Sequence, residues 1–390
     1  MAPFTAELAR AAALLSAIGL VQAAAGAVLA ARFARVLAAP PLAAPPLAAP
    51  PLIVFKPLAG AEAGLEAALE SFFRQDHPRF RLLFGVQDAA DAAIATVERL
   101  RARFPAVDAV LVVDPTPLGR NRKIANLRNL ARAAEGAAAG PGAIVVIADA
   151  DVLAPPDLLR RLAGALAEPR VGLVSCLYAG RPASGSLVRR LGAAAIDFAF
   201  LPGVLLSRAL GRRDCLGAVM ALRAETLAAV GGFPALGDWL ADDNRLGQLV
   251  RARGLAVDLA PALVETMVAD EGLAALLRHE LRWARTIRAL APLPFAASLL
   301  QYPLAFALLA PVLAGGAGWS LGWLLAALCL RAAFARGVER SLGLARPRTL
   351  RHLWLRDLLS AGVTLAAFAS DQVVWRGQTL HTDHPSPARN

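Results

Sequence analysis

Residues 143–151 read Ala143-Ile144-Val145-Val146-Ile147-Ala148-Asp149-Ala150-Asp151, a β-branched apolar run that stops at two carboxylates. A short continuous apolar run of this kind suits a strand buried on both faces. Similar runs stand before it at 52–55, 81–87 and 109–114, and after it at 171–178. Helical runs separate them at 63–73, 92–104, 124–133 and 156–166. Strands alternating with helices predict an α/β domain whose mainly parallel, Rossmann-like sheet is covered on both faces. Ligands of such sheets bind beyond the carboxyl ends of the strands. Asp88 and Asp91 follow one apolar run there, and Asp149 and Asp151 another. Neither GxGxxG nor GxxxxGK[ST] occurs, so the phosphate loops of dinucleotide and P-loop proteins are missing.

Working outward, the 390 residues are 57% hydrophobic, above the roughly 45–50% of soluble chains. Intrinsic disorder is excluded, and a purely soluble protein is disfavoured. Cys176, Cys215 and Cys329 are too few and too scattered for a disulfide framework or a CxxC zinc site. Reduced thiols suit a cytosol-facing domain. The net charge of +11 comes with only 6% aromatics and no basic cluster interleaved with them. Nucleic acid is therefore not the expected partner; a membrane protein with basic flanks explains the charge. Almost all the basic residues are arginine, and Lys56 and Lys123 are the only lysines. Against that bias, a lysine hints that a compact ammonium is wanted.

Residues 11–31 carry no charge and approach the roughly 20 residues a membrane-spanning helix needs. Residues 1–38 are expected to form an anchor in preference to a cleaved signal peptide. The proline-rich repeats of 39–52 cannot form a regular helix and predict a stiff linker. Residues 53–288 form the expected water-soluble domain. From 289 to 330 there is again no charge, enough for a helical pair turning at Gly315, Gly316 and Gly318. Arg331, Arg336, Arg340, Arg346, Arg348, Arg351 and Arg356 follow against one acid, Glu339, as in a cytoplasmic loop. The short apolar stretch 358–370 can span or re-enter, and completes a C-terminal membrane region and tail, 289–390. Residues 196–206, apolar but holding Asp197 and Pro202, suit either an interfacial segment or the domain core.

Asp149 and Asp151 would repel each other without a cation, and hard oxygen ligands suit Mg²⁺ or Mn²⁺. An ordinary polar turn, with Asp157 capping the next helix, explains the pair equally simply. Asp242-Asp243 lies among Asp238, Trp239 and Asn244. A helix start complementing its dipole, or a general base, fits that cluster. Arg278, Arg282, Arg285 and Arg288 are spaced four, three and three, along one helical face. They suit either anionic headgroups or a diphosphate, with Trp283 packed below.

Taken together, Asp88, Asp149-Ala-Asp151, Asp242-Asp243 and Arg282-Trp283 follow the D, DxD, D and (Q/R)xxRW order of membrane-bound inverting glycosyltransferases with the GT-A fold. The chain most resembles the ceramide glucosyltransferase family, through Phe55-Lys56-Pro57-Leu58-Ala59-Gly60, Phe72-Phe73-Arg74-Gln75-Asp76-His77-Pro78 and Gly119-Arg120-Asn121-Arg122-Lys123-Ile124-Ala125-Asn126-Leu127. Leu240-Ala-Asp-Asp243 and the 279–288 stretch resemble its bacterial hopanoid-biosynthesis branch. His279 departs from the Gln or Arg usual at the first position of (Q/R)xxRW.

The resemblance implies that Asp88, with Asp91 assisting, contacts uridine, and that Asp149 and Asp151 hold a divalent metal (Mg²⁺ or Mn²⁺) and the sugar nucleotide. It makes Lys123 a donor-site cation and Asp243 the base, with Arg282, Trp283 and His279 at the leaving diphosphate. The implied reaction moves one hexose or N-acetylhexosamine from UDP-Glc or UDP-GlcNAc to a hydroxyl of a membrane lipid, a hopanoid polyol or ceramide. The implied partners are the UDP-sugar, the lipid acceptor and the bilayer, with no nucleic acid and no obligate protein partner. The implied setting is a bacterial inner membrane with the catalytic domain cytoplasmic. A processive polysaccharide synthase and an inert membrane adaptor retaining the fold are the alternatives. The first would be expected to carry more membrane helices and Gln at 279; the second should tolerate losses among the acids.

Overall fold

The alternation within Leu52-Ile53-Val54-Phe55 decides how the sheet is buried. In the computed structural model, which describes residues 3–41, 49–134, 142–344, 350–370, 372–375 and 378–381, these residues open strand β1 (Leu52–Pro57). Leu52 and Val54 face one layer with Leu69 and Phe72, while Ile53 and Phe55 face the other with Ile124 and Leu127. Both faces are dry, so the strand reads as continuous hydrophobic sequence. Fully burying each such side chain contributes about 1.5–3 kcal/mol.

The remaining strands are β2 (Phe80–Val86), β3 (Ala109–Val113), β4 (Ile144–Ala148), β5 (Val152–Leu153), β6 (Val171–Pro182), β7 (Val219–Arg223) and β8 (Ala256–Val268). Their order is β3-β2-β1-β4-β7-β6-β8-β5. β3, β2, β1 and β4 are parallel neighbours, as are β6 and β8; β7 and β5 run antiparallel to theirs. The α/β class and the mainly parallel sheet are as expected. The five expected strands are present to within a few residues, and β6 runs on to Pro182. Helices Leu65–Phe73, Ala93–Arg103, Arg122–Ala133 and Leu158–Ala165 occupy the expected helical runs.

Sequence blocks that stood out as motifs prove partly structural. Gln75 donates to the carbonyls of Ser71 and Pro155 and accepts from Leu159 N–H, so it bolts helix Leu65–Phe73 to the segment after β5. Asn126 donates to Gly85 O at 2.8 Å, and a Cβ on Gly85 would lie 2.1 Å from Asn126 Oδ1. Only glycine fits β2 there.

The chain divides into two units. One comprises Leu37–Ala183 and Arg213–Ala269 and holds the sheet; the other comprises Met1–Val36, Ser184–Arg212 and Asp270–Asn390. In the second, helix Pro3–Ala38 covers the expected anchor, and Gly315 and Gly316 adopt positive φ where the turn was expected. The first member of the expected pair is instead broken into Pro292–Gln301 and Pro303–Leu313, bent by 65°. Pro303 lacks the N–H that would have continued the helix. Its second member, Gly318–Leu342, runs well past Leu330, so Arg331, Arg336 and Arg340 are helical and not part of a loop. Arg331 and Arg356 are also buried. Arg331 pairs with Asp357 at 3.2 Å and donates to Phe198 O at 3.1 Å. Phe198 sits in a π-helical turn, Ile196–Phe200, within the Leu187–Ala209 helix. Such turns loosen the regular backbone ladder, and Arg331 supplies a donor to it. These two arginines pair with acids inside the unit, Arg331 with Asp357 and Arg356 with Glu280, and are not flanking charges. Arg346, Arg348 and residues 42–48 of the linker lie outside the described residues.

Candidate active site

The loop 119–121 and the segment 237–242 meet through backbone and side-chain bonds although 118 residues separate them. Asn121 N–H donates to Gly237 O at 2.8 Å, Arg120 N–H to Asp238 Oδ1 at 3.1 Å, and Asn121 Nδ2 to Trp239 O at 2.8 Å. Gly119, at φ 58°, allows this approach, because a Cβ there would lie 2.5 Å from Gly237 O. Asn121 also caps helix Arg122–Ala133, accepting from Lys123 N and Ile124 N. Lys123 is thereby fixed in the first turn of that helix, and Asp242 and Asp243 in the first turn of helix Asp242–Ala252.

Lys123 Nζ lies 2.7 Å from Asp149 Oδ1 and 3.7 Å from Asp242 Oδ2. Burial alone would lower the ammonium's pKa, but Asp149, Asp242 and Asp243 outweigh it and hold the value above normal. Asp149 directly follows β4, and its N–H donates to Ala218 O. Beneath it, Lys56 is fully buried and donates to Asp149 O at 2.8 Å, with its Nζ 3.8 Å from the Phe72 ring centre. Burial pulls the Lys56 ammonium down to about 7, although Asp151 and Asp149 oppose that. Asp151 accepts from the Thr266 hydroxyl, and its backbone carbonyl accepts from Met267 N–H across the β5–β8 pairing. Burial, then the nearby Asp149, raises the Asp151 carboxyl.

Asp243 is pushed up to about 7 by burial and by Asp242, with Lys123 pulling the other way. Burial also raises Asp242, against the pull of Lys123. Asp242 Oδ2 is buried without a hydrogen bond. At Gly217 a Cβ would come within 2.9 Å of Asp243 Oδ2, so the absent side chain leaves room for that carboxylate.

The structure thus gathers Lys123, Asp149, Asp151, Asp242 and Asp243 at the carboxyl end of β4. Asp88 and Asp91 follow β2. Asp88 accepts from Ala90 N–H at 2.9 Å, while Asp91 accepts from Gly60 N–H at 2.9 and 3.0 Å and from Ala93 N–H at 2.9 Å. Asp91 therefore ties the loop after β1 to the start of a helix. His279, Arg282 and Trp283 belong to the other unit, on helix Leu273–Leu290. His279 Nδ1 lies 3.4 Å from Asp270 Oδ2, and its ring meets Trp283 edge-on, with centroids 4.4 Å apart.

Thr266 and Gly217 had no sequence signal. Lys56 had one, its rarity, but no assigned position.

The acids fit a hard divalent cation. Among the described residues no three His, Cys, Asp or Glu side chains form a ready cage. A pair of carboxylates at 149 and 151, with an orphan oxygen at Asp242, matches an ion that completes its shell from water and phosphate.

A family model, glycosyl transferase family 21, matches residues 9–386. The chain belongs to that family. Among curated relatives it is 26% identical over 218 residues to ceramide glucosyltransferase 1 of Caenorhabditis elegans, covering 54% of this chain and 44% of that one. It is 32% identical over 117 residues to the ceramide glucosyltransferase of Komagataella phaffii, covering 29% and 22%. The chain thus spans about half or less of the relatives it matches. Among solved structures it is similar to the mannosyltransferase PcManGT from Pyrobaculum calidifontis in complex with GDP-Man and Mn²⁺ (24% identity, 91% of this chain and 98% of that one, TM-score 0.48).

Proposed function

We propose that the protein is an inverting transferase moving one hexose or N-acetylhexosamine from UDP-Glc or UDP-GlcNAc to a hydroxyl of a membrane lipid, either ceramide or a hopanoid polyol. The observation that carries this is the cluster of Lys123, Asp149, Asp242 and Asp243 beyond β4, with Asp243 held to about 7. A general base works best with a pKa near the working pH, and burial beside Asp242 supplies that value. Lys123 keeps Asp149 and Asp242 compatible in one small volume. Lys56 fixes the main chain of the Asp149 turn from below, and Thr266 orients Asp151. When bound, a divalent ion on Asp149 and Asp151 would offset the donor diphosphate's charge. Asp88 would contact the uridine, and Asp91 would hold the neighbouring loop. In-line displacement at the anomeric carbon then needs Asp243 to take the acceptor proton on one face. Arg282, Trp283 and His279, carried on helix Leu273–Leu290, are the residues proposed to meet the departing diphosphate.

In domain terms the proposal assigns transfer to 53–288, with anchor 1–38, linker 39–52 and membrane region 289–390. The enzyme would sit in a bacterial inner membrane with its donor site in the cytoplasm, where UDP-sugars are made. Arg32 and Arg35, after the first apolar run, support that side. Purified protein given radiolabelled UDP-Glc or UDP-GlcNAc and vesicles of ceramide or hopanoid polyol should yield a lipid-linked monosaccharide. A polymer would favour a synthase, and no product would favour an inert adaptor. Activity should vanish in EDTA and return with Mg²⁺ or Mn²⁺; full turnover in metal-free buffer would remove the ion from the proposal.

A further inference from the structure

Several segments of the unit that holds 270–390 meet at Arg356 and Asp357, both buried in helix Leu353–Ala366. Asp357 pairs with Arg331 and accepts from Leu304 N–H at 3.2 Å. Arg356 does something different. Its Nη1 and Nη2 donate to Glu280 Oε1 and Oε2, each at 2.8 Å. Its Nε donates to Ser360 Oγ at 3.0 Å, and Nη1 reaches Leu191 O at 3.4 Å. Arg356 is only 2% exposed and Glu280 13%.

Glu280 is the second residue of His279-Glu280-Leu281-Arg282-Trp283. A two-pronged guanidinium–carboxylate pair fixes direction as well as distance, which a point charge cannot do. A helix gripped this way cannot roll about its axis without breaking a prong. Successive residues lie about 100° apart around a helix, so a small roll redirects His279, Arg282 and Trp283 together. A buried ion pair is often no more stabilising than a well-packed apolar pair, so its distinctive contribution is orientation.

We propose that Arg356 is a positioning residue: by gripping Glu280 it sets the roll of helix Leu273–Leu290 and hence where His279, Arg282 and Trp283 point. The inference rests on the glycosyl-transfer function proposed above.

The test uses the full-length protein with Arg356→Lys, Glu280→Gln and the double variant. Three quantities are read: turnover and donor KM with UDP-Glc and UDP-GlcNAc, the thermal midpoint, and Trp283 emission. Trp283 emission is taken as the difference from the same background carrying Trp283→Phe. Each single variant should lose at least about tenfold in kcat, because slight misplacement of reacting groups is costly. Donor KM should stay within about threefold, and Trp283 emission should shift. The double variant should lose no more than the worse single, since both break one contact. Folded single variants with wild-type turnover and unchanged Trp283 emission would overturn the proposal, as would losses that multiply in the double. Should Arg356→Lys fail to fold, the isosteric Glu280→Gln carries the same test. If the wild type transfers sugar from neither donor, the proposed function fails, and the Trp283 difference spectrum still decides whether the fork sets the helix.

Discussion

Asp243 and Lys123 are close enough in space for each to set the other's protonation, which makes the chemistry testable one side chain at a time. Asp243→Asn keeps the shape and removes the base. UDP-sugar binding should stay near normal while turnover falls about 10²–10⁴-fold. Near-normal turnover would take Asp243 out of that role. The pH dependence follows from the same neighbours. A base must be ionised to act, so kcat/KM of the free enzyme should fall as pH drops below about 7, where the Asp243 carboxyl is held. Asp242 pushes that value up and Lys123 pulls it down. Asp242→Asn should therefore move the acid limb to lower pH, and Lys123→Met should move it to higher pH. Limbs that coincide in pH–rate profiles of all three proteins would mean another group governs the rate.

The elements that build the site differ in how openly the sequence displays them. β4 and the Asp149-Ala-Asp151 turn could be read directly, because a dry strand ending in two acids leaves few alternatives. β8 could not, although the buried residues of its second half, Ala260, Ala262, Val264, Thr266 and Val268, alternate strictly. Pro261 interrupts that stretch and argues against a strand. The structure accommodates it beside the irregular β6–β8 register between Ser175 and Leu177. β7 is short and pairs antiparallel, and a βαβ pattern does not anticipate that. The meeting of 119–121 with 237–242 was hidden for another reason: nothing in either stretch names its partner. It is exposed by Gly119, where both positive φ and Gly237 O exclude a side chain. Gly119→Ala should lower the thermal midpoint and weaken UDP-sugar binding, as Lys123 loses its fixed start. A variant with unchanged midpoint and donor affinity would show that the loops meet without needing glycine.

At the scale of the molecule, three described helices are long and apolar enough to cross a membrane: Phe4–Ala38, Leu187–Ala209 and Gly318–Leu342, with the bent pair as a fourth. The sheet limits what the second can do. β6 precedes Leu187–Ala209 and β7 follows it, yet Leu173, Val174 and Ser175 pair with Leu222, Ala221 and Met220. Both ends of that helix join strands of one sheet, so Leu187–Ala209 is expected not to cross despite its length. Single cysteines at Ser186 and Arg212, in a chain whose Cys176, Cys215 and Cys329 are replaced and whose activity is checked, should react alike with a membrane-impermeant reagent. Cysteines in linker 39–52 and segment 345–349 should both resist it in intact cells and react after permeabilisation. Labelling of the linker from outside would place the proposed donor site on the wrong side. The bond between Thr266 and Asp151 spans 115 residues. A ribosome adding roughly 5–20 residues each second needs many seconds to cover that distance. Until then the nascent chain carries an acidic turn with neither its hydroxyl partner nor the β8 edge beside it, so the proposed donor site matures late in synthesis and any stop before Thr266 leaves it unfinished.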